Sequence, residues 1–169
     1  MNVIFLGTNG WYDTDTGNTI CTLINCEKCH IILDAGNGIY KADRYIHDDL
    51  PVYLFLSHFH LDHIEGLHIL NKFHFPQGLK IFGQKGTARF LDIIMRQPFT
   101  VPIDMLPFPV EVQELSEGPY KLPFAMECRF LVHAAPTMGY RFDLDGKIVA
   151  YCPDTGVCDN AVLLAKDAD

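Results

Sequence analysis

An uninterrupted apolar run, Val52 to Leu56, is followed almost at once by His58-Phe59-His60-Leu61-Asp62-His63. The run has the length of a strand, with no polar residue to set on a wet face, so it reads as a buried central strand. The segment after it packs four potential metal ligands into six residues. Imidazoles this close repel one another once charged, and the group gains little as packing. It makes chemical sense when a borderline-soft divalent cation holds it, and zinc favours such nitrogen and oxygen donors.

The rest of the chain is that of a soluble globular protein. Its 169 residues make one domain by length, expected to cover 1–169, and 49% of them are hydrophobic against 20% charged. The formal net charge is -8, with no basic run, which argues against a nonspecific nucleic-acid or anionic-membrane surface. Two bound dications would offset about half of that charge. The opening Met1-Asn2-Val3-Ile4-Phe5-Leu6-Gly7 reads as a first strand and not as a signal peptide. No apolar stretch approaches the roughly 20 residues of a membrane span. A cytoplasmic location and six reduced cysteines are therefore expected.

Cys26-Glu27-Lys28-Cys29-His30 has the spacing of a c-type haem attachment site. It falls between two strand-like runs, Thr19 to Asn25 and Ile31 to Leu33, where a hairpin turn is expected, and a turn holding two thiols is the favoured reading.

Strand and helix signals alternate along the chain. Val3 to Leu6, Ile20 to Ile24 and Ile31 to Leu33 form an early meander, ended by the turn cluster Asp34-Ala35-Gly36-Asn37-Gly38. Helices are expected over Ile39 to His47, Glu65 to Lys72 and Gly86 to Arg96, with a short strand at Lys80 to Phe82. Pro98, Pro102, Pro107 and Pro109 then block regular structure and suggest a surface passage that joins two layers. Strand signals return at Val110 to Leu115, Ala125 to Val132, Tyr140 to Leu144 and Lys147 to Tyr151, with Asp145-Gly146 a hairpin turn. The pattern is mixed α/β, with sheet on sheet inside and helices outside.

In an extended loop, His58 and His60 face the same way and suit one metal. Asp62 and His63, where the loop turns into a helix, can serve a second one nearby. Two distant strand ends complete the set, with His133 in Val132-His133-Ala134-Ala135-Pro136 and Asp154 in Tyr151-Cys152-Pro153-Asp154-Thr155-Gly156. Taken singly, each of these is more often structural, as a capped strand end or an Asx turn.

His58-x-His60-x-Asp62-His63, then His133, then Tyr151-x-x-Asp154-Thr155, resembles the metallo-β-lactamase superfamily of metallohydrolases. Asp34-Ala35-Gly36 is similar to its early Asp-x-Gly. Phe5-Leu6-Gly7-Thr8, and His133 followed by Gly139-Tyr140-Arg141, look like the ribonuclease Z-like branch. The resemblance implies an αββα sandwich with the metals at one edge of the sheets. It further implies His58, His60 and His133 on a first zinc, and Asp62, His63 and Asp154 on a second, with Asp154 bridging. Asp62 would be the catalytic residue that orients the attacking hydroxide, and Asp34 a carboxylate that fixes a ligand histidine from behind. Arg141 is a substrate-side candidate, although a surface ion pair is the commoner fate of such a residue.

The sequence departs from the family twice. The family carries another His ligand well after Asp-Thr, whereas no His follows Asp154 here. The C-terminal part of the sandwich is therefore expected to be missing, with an outer strand and helix absent. Members that process tRNA 3′ ends also carry a long Gly/Pro-rich arm between Gly-Tyr-Arg and Asp-Thr. Here only Phe142 to Pro153 lie between them, a simple hairpin, so tRNA is disfavoured and a small ester or nucleotide-type substrate is expected.

The leading expectation is a dinuclear zinc hydrolase cleaving a phosphodiester or related small ester, with manganese or iron as the alternative metals. A lactonase or thioesterase on the same scaffold, and a non-catalytic metal-binding module, are the competing readings. An exposed sheet edge would favour a homodimer.

Overall fold

The computed structural model describes residues 1–169. Ten strands form two sheets. The first has the order β1 (Asn2–Gly7), β2 (Cys21–Asn25), β3 (His30–Leu33), β4 (Val52–Phe55), β5 (Leu79–Gln84) and β6 (Val110–Leu115). Its first three strands are antiparallel, and β3 to β6 run parallel. The second sheet is an antiparallel meander of β7 (Gly118–Lys121), β8 (Ala125–Leu131), β9 (Thr137–Leu144) and β10 (Lys147–Tyr151).

The apolar run of β4 explains the layering. Its residues alternate between two separate cores. Val52 and Leu54 join Ile32, Ile39, Leu67, Leu70 and Ile81 on the helix side of the first sheet. Tyr53 and Phe55 join Ile31, Leu33, Phe82, Tyr140 and Phe142 between the sheets. There the Phe55 ring stacks on Phe82 at 4.8 Å and meets Phe142 edge-on at 4.9 Å. Three short α-helices, α1 (Leu61–Ile64), α2 (Thr87–Ile94) and α3 (Asp159–Ala165), lie outside the strands. Leu164 of α3 is fully buried, its Cδ1 against Gly139 on the outer face of the second sheet. The result is the αββα sandwich. No helix is long and apolar enough to cross a membrane.

The helix expected over Glu65 to Lys72 has those bounds, and the one expected over Ile39 to His47 lies slightly earlier. The segments after β3 and α1 are 3₁₀ helices, Asn37–Arg44 and Glu65–Lys72. They pack backbone to backbone: the Gly66 N–H donates to Ala35 O at 2.8 Å, and a Cβ at Gly66 would collide with the Gly36 carbonyl. The Pro-rich passage does not divide the layers. It crosses over the helix side, buries Leu106 and Phe108, and delivers β6 to the first sheet. The switch between sheets comes at Ser116-Glu117, just before β7, an edge strand whose Gly118 and Pro119 hide it from a propensity reading.

The outer edge of β10 is occupied at one residue. The Ile148 N–H donates to Asp169 Oδ2 at 2.8 Å, its carbonyl accepts from the Asp169 N–H at 3.0 Å, and Lys147 pairs with the same carboxylate at 2.6 Å.

Candidate metal centre

Each expected site residue sits just beyond a strand, on one edge of the sandwich. Asp34 follows β3 with φ 56°, a left-handed conformation that Asp tolerates better than most residues. His58 follows β4, the neighbouring parallel strand, and His60 caps α1, which carries Asp62 and His63. His133 lies between β8 and β9, and Asp154 follows β10. In a parallel sheet the carboxyl ends of the strands are where ligands gather.

His58, His60, His133 and Asp154 each offer a donor atom, and these all lie within 4.8 Å of one another. His58 Nε2 is 2.9 Å from His60 Nδ1, and His133 Nε2 is 3.3 Å from that same Nδ1. Asp154 faces two ways. Its Oδ2 lies 3.8 Å from His133 Nε2, and its Oδ1 lies 3.5 Å from His63 Nε2. Asp62 Oδ2 approaches His63 Nε2 at 3.9 Å from the other side.

A buried polar cluster sets these rings from behind. The Asp34 carboxylate is fully buried. It accepts from Ser57 N and Ser57 Oγ at 2.7 Å each, from His63 Nδ1 at 2.8 Å and from Tyr151 Oη at 2.6 Å. Ser57 Oγ in turn lies 3.0 Å from His58 Nδ1. With both Nδ1 atoms engaged, His58 and His63 present Nε2 towards Asp154 and His60. Such partners fix tautomer and ring orientation for metal binding.

The local field divides the two rings. Burial pushes the His58 pKa down to about 4, aided by the neighbouring His63 and His60 against the pull of Asp34 and Asp154. His58 is thus neutral at pH 7, the form a metal needs. Burial also works against the charged form of His63, but its bond to Asp34 and the charges of Asp34, Asp154 and Asp62 outweigh that and raise its pKa. Burial foremost, then Asp34, raises the Tyr151 phenol far above its ordinary value, so it stays protonated and donates. Converging nitrogen lone pairs, a two-faced carboxylate and preset tautomers are a donor set that fits divalent cations.

Ser57, Tyr151 and Trp11 were not singled out by sequence. The Trp11 N–H donates to Asp62 Oδ2 at 2.7 Å. Position beside the His cluster is the signal for Ser57, and Tyr151 opens the Tyr-x-x-Asp-Thr motif without its role being apparent there. Arg141 makes no surface ion pair. Its Nη1 donates to the Leu164 and Lys166 carbonyls at 2.6 Å each and so closes the C-terminal end of α3. Cys26 and Cys29 are buried thiols at the β2–β3 turn, and His30 bonds Asn25 and Asp48 at 2.8 Å each. All six cysteines are free.

Comparison with known proteins gives this architecture its relatives. Residues 30–169 match the family model of the β-lactamase superfamily domain. A ribonuclease Z from Nanoarchaeum equitans is 29% identical over 153 residues, which are 86% of this chain and 47% of that protein. The chain spans about half the length of the curated relatives it matches. Among solved structures, the short form of human tRNase Z superposes with a TM-score of 0.80 at 22% identity, over 100% of this chain and 75% of that one. The metallo-β-lactamase fold protein YhfI from Bacillus subtilis gives 0.77 at 18% identity, over 99% and 68%. With the family model matching well over half of its residues and the fold shared with those structures, the chain belongs to the β-lactamase superfamily, with a ribonuclease Z among its relatives.

Proposed function

We propose that the chain forms the metal-holding part of a dinuclear zinc hydrolase that cleaves phosphodiesters of nucleotides or nucleic acid. The observation that carries this reading is the two-faced Asp154, with one oxygen towards the His58, His60 and His133 group and the other towards His63. In this reading His58, His60 and His133 would hold one ion and Asp62 and His63 the other, with Asp154 available to both. When bound, such a pair supplies Lewis acidity and a hydroxide nucleophile at neutral pH. The protein keeps His58 neutral and holds His58 and His63 in register through Ser57 and Asp34, and Asp62 would orient the attacking group. Asp34 acts from behind the ligands as a positioning residue.

The acidic balance and the short β9–β10 hairpin do not carry the exclusion of tRNA. The hairpin is as short as expected, yet the matching relatives include proteins named ribonuclease Z. A nucleic-acid phosphodiester therefore stays within the proposed substrate class.

The test combines metal content with turnover. Metal per chain is measured on the purified protein, and hydrolysis of thymidine 5′-p-nitrophenyl phosphate is compared with a lactone and a thioester panel. About two zinc ions per chain and preference for the phosphodiester are expected, with His58→Ala and Asp62→Ala inactive but folded. Manganese or iron in place of zinc would revise the metal. Preference for lactone or thioester would move the chemistry to carbonyl esters. Near-zero metal with full folding would reduce the chain to a non-catalytic module.

A further inference from the structure

We infer that Trp11, assisted by Tyr12, is a stacking platform for a nucleobase at the mouth of the metal centre. This rests on the proposed reading of the centre for where the phosphate sits. Trp11 is the only tryptophan of the chain, and tryptophan is buried on average more than almost any residue. Here its side chain is 87% exposed, and that of Tyr12 is 68% exposed. Exposed aromatic pairs of this kind mark interaction surfaces.

The backbone ties this loop to the centre. Trp11 has φ 68°, and the Tyr12 N–H closes back on Gly10 O at 2.8 Å, a γ-turn of the strained, positive-φ kind. Strain of that sort persists where the surroundings impose it, commonly at ligand sites. The imposing contact is the Trp11 N–H on Asp62 Oδ2. The loop is braced behind by Asn9 Nδ2 on Gly17 O and by Thr19 N on Asp13 Oδ1. A braced loop therefore carries an exposed ring on the residue whose backbone N–H bonds a candidate ligand, beside an open cleft of about 480 Å³ lined by Asn9, Gly10, Trp11, Tyr12 and Thr14.

A phosphate seated on the cations leaves the rest of a nucleotide outside them. The flat apolar partner that an exposed indole accepts is a base, and every base has a π-face. The Asp13 carboxylate is occupied by the Thr19 N–H and Asn18 Nδ2, so the aromatic pair, and not an anionic group, is what the loop offers to ligand. Mononucleotides and the ends of an RNA strand share this chemistry.

The lone tryptophan makes the test direct. In the zinc-supplemented full chain, AMP and a ribotetranucleotide should quench Trp11 emission saturably, whereas ribose 5-phosphate should not. Calorimetry on Trp11→Ala should show AMP affinity lowered about tenfold or more, towards that of ribose 5-phosphate, as expected for one lost stacking contact. Trp11→Phe should keep it within about threefold by the same contact, and circular dichroism should confirm both folds. Equal affinity for the two base-bearing probes assigns a mononucleotide ligand, and tighter binding of the tetramer assigns RNA. Unchanged emission with AMP, or unchanged AMP affinity in Trp11→Ala, would overturn the inference. Quenching without phosphodiester hydrolysis would leave the platform standing and remove the hydrolase reading. Hydrolysis without quenching would do the reverse.

Discussion

The Tyr151 hydroxyl, at the end of β10, donates to Asp34 Oδ2 at 2.6 Å across the sandwich. One sheet thus hands a hydrogen bond to the carboxylate that orients His63 in the other. Tyr151→Phe removes it while keeping the ring. A lost bond to a buried charge costs about 1.5–3 kcal/mol, and a lost partner behind a ligand costs about 10–100-fold in metal affinity. Urea denaturation and a competitive zinc chelator measure the two. A drop in stability with unchanged zinc affinity would mean that Asp34 holds His63 without help from the second sheet.

Gly36 offers a steric test of the same edge. A Cβ there would collide with the carbonyl oxygens of Asp62 and Ile20. Gly36→Ala should destabilise the fold by about 1–3 kcal/mol, the usual cost of overpacking, and should lower zinc per chain by displacing the Asp62 segment. Melting temperature and metal analysis on one preparation decide it. Full zinc content would show that the loop yields without moving its ligands.

Arg141 separates a helix cap from a substrate contact. Arg141→Met keeps the stem and deletes the donors to the Leu164 and Lys166 carbonyls. Stability should fall by about 1.5–3 kcal/mol, the worth of a charged hydrogen bond. Zinc content and phosphodiester hydrolysis should hold. A raised KM with unaltered stability would return Arg141 to the substrate side.

In the metal-stripped protein, two buried histidines act on stability in opposite senses. His58 has its pKa depressed from 6.5 to about 4. Between those values the unfolded chain takes up a proton that the folded chain refuses, so stability falls as pH falls. His63 has its pKa raised. Its contribution is complete below about pH 6.5, its unfolded value, and is lost as pH rises through the raised folded value. Melting temperature should therefore drop from pH 6.5 towards 4, and His58→Asn should flatten the upper part of that drop. An equally steep drop in the variant would locate the acid-sensitive group elsewhere.

The ligands proposed for the cations were legible because their chemistry is local. Four of them lie in one hexapeptide after an apolar strand, and His133 and Asp154 close apolar strands of their own. Of their supports, Asp34 is legible through its likeness to the early Asp-x-Gly, whereas the bonds that Ser57 and Tyr151 make to it are not. Ser57 and Tyr151 gain their roles only when β3, β4 and β10 bring them to Asp34, a meeting that no local pattern encodes. Trp11 depends in the same way on a turn forced by a residue 51 positions away. In the fold, strands with a clear apolar pattern are legible, whereas Gly118 and Pro119 mask β7, an edge strand. The 3₁₀ segments are legible only as helices, because periodicity reports a buried face and not the width of the coil.

The hold of Asp169 on Ile148 bears on how copies of the protein treat one another. A strand at the rim of a sheet invites a neighbour to continue its ladder, and charge is a common deterrent. Here an ionised side chain, paired with Lys147, sits across the rung a newcomer would use first. Any strand that pairs with this rim, from another copy or from the same polypeptide, has to displace that clasp, so Asp169→Ala should make the rim easier to extend, read as faster amide hydrogen exchange at Ile148.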